Sequence, residues 1–184
     1  MNVISTDLPG LFILEPKVFN DSRGYFFESF NKKVFEQHKL EYTFVQDNES
    51  LSAYGTIRGL HYQLAPYAQS KLVRVISGKI YDVAVDIRKD SPTFGRWQGV
   101  ELTSENKKQL LIPQGFAHGF SVLSEEAIVL YKCDSFYAPD SERGINFRDP
   151  RLNINWKIPD DQAIVSAKDK VLPDFQHAEM NFIQ

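Results

Sequence analysis

The sequence predicts an all-β protein, a sandwich or barrel of the jelly-roll kind with a few short helices. Three observations predict it. Short runs rich in Val, Ile, Phe and Tyr recur along the 184 residues, separated by turn formers. Where the apolar residues are patterned, the period is two: Tyr81, Val83, Val85 and Ile87 share one face, and Ile80, Asp82, Ala84, Asp86 and Arg88 the other. Only one segment reads as helical.

Taken in order, LFILEPKVF (11–19) and GYFFESF (24–30) supply the first strand material. Asn31 is placed to cap a helix over Lys32 to Lys39. GTIRGLHYQ (55–63) follows. Residues 71–88 form two arms about Gly78, whose permissive backbone suits a tight hairpin in ISGKI. WQGVELTS, KQLLIP, FSVLS and AIVLYKCDSFY complete the strands, ending at Tyr137. The last third is less regular, and RDPRLNINWKIPDDQ is rich in turn formers. No repeat, low-complexity stretch or linker interrupts the chain, so a single domain over residues 1–184 is expected.

A composition of 42% hydrophobic and 13% aromatic residues is enough for a sizeable core. The net charge of −3 gives no basic nucleic-acid surface, so an anionic ligand needs a local Arg/Lys cluster. Cys133 is the single cysteine, which excludes an intrachain disulfide and suits a reducing cytosol. MNVISTDLPG lacks a basic and then apolar leader pattern, and no apolar window approaches a membrane span. A cytoplasmic protein is expected, with no nucleic-acid and no membrane partner.

IRGLHYQ (57–63), PQGFAHGF (113–120), YKCDSFY (131–137) and SAKDK (166–170) concentrate polar chemistry in an otherwise aromatic β protein. Metal-binding cupin barrels carry a first motif of His-x-His followed by Glu and a second of Pro-x-Gly-x-x-His. The second is complete here in Pro113, Gly115 and His118; the first has His61 but Gln63 in place of its second histidine. Glutamine is a poor substitute for imidazole at a transition-metal site, so no metal is expected. A lone histidine is more often a hydrogen-bonded core residue. Two imidazoles in one barrel mouth need partners, and a histidine near its ordinary pKa is a natural general base. Asp169 is a candidate orienting carboxylate. Tyr131 could supply a proton from the other side, although periodicity alone favours a core aromatic.

These segments, with DSRGYFFESF, VQDNES, KLVRVISGKIYDVAVDIRKDSPTFGRW, YKCDSFYAPDSERGI and VSAKDK, resemble the dTDP-4-dehydrorhamnose 3,5-epimerase family nearly end to end. The resemblance implies a cupin-type jelly-roll β-barrel acting on a dTDP-4-keto-6-deoxyhexose without redox cofactor or metal. C3 and C5 both lie α to the C4 ketone, so inversion needs a base, an opposed acid and stabilisation of the oxyanion. The resemblance implies His61 as base, Asp169 as its orienter, Tyr131 as acid, and Lys71, with His118, at the oxyanion. Without the motif, Lys71 reads as a solvated strand-end lysine. It implies further that Arg23, Arg58 and Lys168 lie near the nucleotide-sugar, whose phosphates suit guanidinium forks. Glu28, Gln46, Asp47, Asn48 and Glu142 match nucleotide- or substrate-binding positions, and Tyr137 matches the aromatic that stacks on thymine. Arg23 by itself reads as an ordinary exposed arginine. A homodimer is implied, with Arg23, Phe26 and Glu28 of the N-terminal segment serving the neighbouring site.

Arg58 and His61 are an odd number of residues apart, which in a regular strand puts them on opposite faces. A local irregularity at Gly59 is therefore expected if both serve one cavity. The competing readings are a mono-epimerase or 3,4-ketoisomerase on the same barrel, a metal-dependent cupin, and a sugar-binding barrel without catalysis.

Overall fold

The computed structural model describes residues 1–183. Its strands are β1 (Asn2–Ser5), β2 (Phe12–Glu15), β3 (Phe19–Asp21), β4 (Gly24–Phe26), β5 (Gln46–Ala53), β6 (Thr56–Gln63) and β7 (Lys71–Ser77). They continue as β8 (Lys79–Asp86), β9 (Trp97–Thr103), β10 (Gln109–Ile112), β11 (Phe116–Val122), β12 (Glu126–Cys133), β13 (Glu142–Gly144) and β14 (Ile164–Val165). The helices are α1 (Lys32–Gln37) and α2 (Ala167–Lys170). One sheet runs β1-β2-β10-β7-β12-β5, and the other β13-β6-β11-β8-β9 with β14 added beside β6. The sheets face each other as a jelly roll, and β3–β4 form a separate small hairpin. No helix among the described residues is long and apolar enough to cross a membrane.

Asn31 does cap α1, its side chain accepting from the amides of Lys33 and Val34. The helix stops at Gln37, short of the predicted Lys39, because Lys39 takes a left-handed backbone with φ +60°. The expected hairpin at ISGKI is corrected. Gly78, at φ +81°, carries the chain from β7 in one sheet to β8 in the other. The two arms face each other across the core instead of pairing. A turn signal fixes a local reversal of the chain, and which sheet each arm joins is a tertiary choice.

The period-two pattern of β8 is real, but both of its faces are buried. Ile80 and Ala84 enter the core between the sheets with Val73, Val75, Val129, Phe116 and Phe120. Val83, Val85 and Ile87 turn outward, where Phe147, Trp156, Phe175 and Phe182 of the irregular C-terminal segment cover them. That segment is thus a third layer over the β6–β11–β8 sheet. Behind the other sheet, Leu14, Leu72 and Leu111 pack on Phe35 of α1. β5 escaped the sequence reading because its inward positions are Gln46, Asn48, Ser50 and Ser52, polar where a core strand would be apolar.

Candidate active site

The site starts with an extra residue in β6. His118 of β11 pairs with His61, and Phe120 pairs with Arg58. One residue separates the pair on β11, and two, Gly59 and Leu60, separate it on β6. That is a β-bulge at the expected place, with Gly59 at φ +118°. The bulge cancels the odd spacing, so Arg58 and His61 line the same cavity.

This cavity, of about 610 Å³, opens between the sheets and is lined by Arg58, His61 and His118 from one sheet and Lys71 and Tyr131 from the other. Its size is that of a small-molecule site. A smaller lobe of about 200 Å³ shares His61, Lys71 and Tyr131 and adds Gln46, Asn48, Gln63, Tyr137 and Glu142. The three shared residues stand where the lobes meet.

His61 Nε2 lies 2.7 Å from Asp169 Oδ1. Asp169 is buried, its amide is held by the N-cap Ser166, and its Oδ2 accepts from the Gly59 amide at 3.2 Å. Burial pushes the Asp169 carboxyl up, but the hydrogen bond and charge of His61 and the Gly59 amide outweigh it and hold the group below the ordinary aspartate value. An ionised carboxylate only accepts, so His61 donates from Nε2, and in the neutral imidazole Nδ1 is then the nitrogen left to take a proton.

The depressed Asp169 carboxyl carries a pH signature. Its contribution to stability is complete above the unfolded aspartate pKa of about 4 and is lost as pH falls through the lower folded value. The stability difference between the wild-type protein and Asp169→Asn should therefore be present in full at about pH 5 and shrink as pH falls below about 4. Denaturant melts across that range check it, and a gap that widens on acidification would contradict the assignment.

His118 repeats the arrangement one strand away. Its Nε2 lies 2.7 Å from Oδ1 of Asp82 on β8, and both side chains are buried. Burial lowers the His118 pKa, Lys71 and His61 add to that, and Asp82 opposes it. Asp82 Oδ2 has no hydrogen-bond partner among the described residues. Asp82 was missed from the sequence, where it reads as one polar residue on an alternating strand. The signal that could have found it is its place between Ile80 and Ala84 on the core face.

On the opposing sheet, Lys71 Nζ lies 5.8 Å from the Tyr131 ring centroid. Burial lowers the Lys71 pKa against the pull of Cys133, Asp82 and Glu142, and burial raises that of Tyr131, which keeps its phenol protonated. Arg58 Nε donates to Ser52 Oγ at 2.9 Å. In the smaller lobe, Gln46 Nε2 donates to Asn48 Oδ1, and the Tyr137 hydroxyl donates to Glu142 Oε2 at 2.7 Å. Lys168 pairs with the same carboxylate oxygen. Three predicted residues stand apart. Asp47 points away from the cleft and pairs with Lys132, as alternation along β5 requires. Arg23 pairs with Asp21 at the exposed tip between β3 and β4, and Glu28 lies beside Lys17, Phe19 and Asn31. Among the described residues, no group of three or more His, Cys, Asp or Glu side chains is arranged to hold a metal ion.

Fold and site together define a jelly-roll enzyme whose cleft holds a carboxylate-backed histidine on one sheet and a half-buried tyrosine on the other. The family model described as dTDP-4-dehydrorhamnose 3,5-epimerase matches residues 5–177. A dTDP-4-dehydrorhamnose 3,5-epimerase of Shigella flexneri is 60% identical over 161 residues, 86% of this chain and 88% of that protein. The crystal structure of dTDP-6-deoxy-D-glucose-3,5-epimerase from Legionella pneumophila, in complex with dTDP-4-keto-L-rhamnose, superposes with a TM-score of 0.95 at 46% identity, covering 100% of this chain and 98% of that one. A 3'-monoepimerase from Streptomyces bikiniensis, solved with dTDP as a double variant with one histidine changed to asparagine and one tyrosine to phenylalanine, gives 0.87 at 33% identity, covering 93% and 86%. The chain belongs to the dTDP-4-dehydrorhamnose 3,5-epimerase family and is an isomerase.

Proposed function

We propose that this chain inverts C3 and C5 of dTDP-4-dehydro-6-deoxy-D-glucose to give dTDP-4-dehydro-L-rhamnose, in dTDP-L-rhamnose biosynthesis, with His61 as base and Tyr131 as acid. The observation that carries the reading is the placement of His61 and Tyr131 on opposing sheets across one cavity. A base and an acid that invert a centre must reach it from opposite sides. Nδ1 of His61 takes the proton α to the ketone, and the electron pair moves onto the ketone oxygen. The Lys71 ammonium faces that developing charge. Tyr131 then delivers its hydroxyl proton to the other face of the carbon, and solvent returns a proton to the phenolate as His61 releases its own. Arg58 and Lys168 supply charge for the diphosphate, and Tyr137 an aromatic face for thymine. The reading includes a cytoplasmic setting, which suits the free, buried Cys133.

A histidine and a tyrosine also occur in a monoepimerase of this fold, so their presence does not count the carbons inverted. The higher identity to 3,5-epimerases favours two. Incubation with dTDP-4-dehydro-6-deoxy-D-glucose in heavy water decides it. Deuterium at both C3 and C5 is expected; label at C3 alone would make the protein a mono-epimerase, and none with intact binding would end the enzymatic reading.

The reading includes a homodimer. Phe19, Tyr25 and Phe26 expose their rings on the β3–β4 hairpin, and Arg23 and Glu28 lie outside this chain's own cleft. Both facts favour a hairpin that serves the neighbouring cavity. Sedimentation as a monomer at assay concentration would remove that arrangement.

A further inference from the structure

We propose that Gln63 is a positioning residue of the nucleotide subsite, clamping the loop that presents Tyr137 and thereby setting nucleotide affinity. The inference rests on the reading of Tyr137 as the face that meets the thymine. In a metal-binding barrel this strand position carries a second histidine. Here Gln63 is 4% exposed, and its amide is spent on the backbone of two loops. Nε2 donates to the carbonyl of Tyr67 at 2.6 Å and to that of Phe136 at 3.2 Å, and Oε1 accepts from the Ala138 amide at 2.9 Å. With both amide hydrogens and one oxygen lone pair engaged, Gln63 has little left to offer a ligand directly.

The residues it holds on the second loop, Phe136 and Ala138, flank Tyr137 on both sides. The Tyr137 amide itself is held at 3.0 Å by Oε1 of Gln46. Gln63 projects from β6 and Gln46 from β5, at the edge of the opposing sheet. Two glutamines from the two walls of the cleft therefore fix three consecutive residues of a loop that has no regular hydrogen-bond ladder. The Tyr137 ring is half exposed and would otherwise be free to move, and fixing its backbone removes that entropy before the nucleotide arrives. No hydrogen bond runs from Gln63 to His61, Lys71 or Tyr131, so the effect belongs to binding and not to proton transfer.

The test uses Gln63→Met, which keeps length and approximate volume but none of the three hydrogen bonds, and Gln63→Glu, which keeps only the acceptor for Ala138. Either one that folds suffices. The readouts are Kd for dTDP by calorimetry and the kcat and KM of epimerisation. Each variant is made alone and together with Tyr137→Ala. The expected result is a roughly tenfold weaker Kd and higher KM with kcat within about twofold, and an additional effect of under about twofold once Tyr137 is gone. If Tyr137→Ala weakens dTDP binding but the Gln63 factor multiplies on top of it, the clamp is overturned while the aromatic subsite stands. If kcat falls as KM rises, or dTDP binding is unchanged in the Gln63 variants, the clamp is likewise overturned. If Tyr137→Ala leaves Kd unchanged, the aromatic subsite itself falls and takes the inference with it.

Discussion

Replacement of His61 by Asn is expected to abolish deuterium exchange at both C3 and C5 and to lower kcat by about 10³-fold or more, equivalent to roughly 4 kcal/mol of lost transition-state stabilisation. The size follows from the chemistry. An α-proton beside a ketone leaves slowly without a base, and asparagine offers none in the neutral pH range. The shape of the site should survive, because the asparagine amide can still donate toward Asp169, which also keeps its bond from the Gly59 amide. Binding of dTDP should therefore change by less than about threefold. The pattern of exchange carries more information than the rate. Loss at both carbons makes His61 the common base for both inversions. Survival at one carbon assigns that carbon to another group, and His118, the neighbouring histidine with its own carboxylate, would be the first to examine.

The second large effect is structural. Gly59→Ala should destabilise the protein by on the order of 3–5 kcal/mol, from a left-handed backbone and a backbone clash together. A Cβ at Gly59 would lie 2.7 Å from both Gly119 Cα and the His118 carbonyl oxygen, on the adjacent central strand. Neither is the end of a flexible side chain, so relief requires β6 and β11 to separate. In a chain of this length, that cost corresponds to a fall in Tm of about 10 °C. Any folded fraction should also lose activity, because the Gly59 amide that supports Asp169 would shift with the bulge. A melting temperature within about 2 °C of wild type, with normal exchange, would show that the bulge tolerates a side chain.

Much of the fold could be read from local patterning. Val, Ile and aromatic runs located most central strands, Asn31 marked a helix start, and the odd spacing of Arg58 and His61 required the bulge at Gly59. What local patterning missed depends on which face of a strand meets which layer. The pattern of β8 does not reveal that its outer face is also covered, because the covering segment is irregular and distant in sequence. The polar inward residues of β5 concealed a strand because they line a cleft and not a core. Asp82 looked like half of an ordinary alternation. For the site, the resemblance to the family supplied residues, and the structure gathers Arg58, His61, Lys71, His118, Tyr131, Lys168 and Asp169 around one cavity. Gln46, Asn48, Tyr137 and Glu142 join the smaller lobe. Asp47 follows from strand parity, which a reading of QDN as one block ignores. Arg23 lies at the tip of the β3–β4 hairpin and Glu28 just after it, both outside this chain's own cleft.

The crossing at Gly78 has a consequence for how the molecule is made. Each time the chain changes sheets it leaves a strand without its final neighbour: β7 lies between β10 and β12, and β6 between β11 and β13. Pairings this distant in sequence make the loop-closure cost of folding large and the rate slow. During synthesis His61 emerges more than a hundred residues before Asp169, and the strands that surround it cannot close until β12 and β13 have followed. A nascent chain halted before α2 could gather both sheets and still hold a histidine with no carboxylate behind it. Competence for proton transfer would then be among the last properties the growing polypeptide acquires.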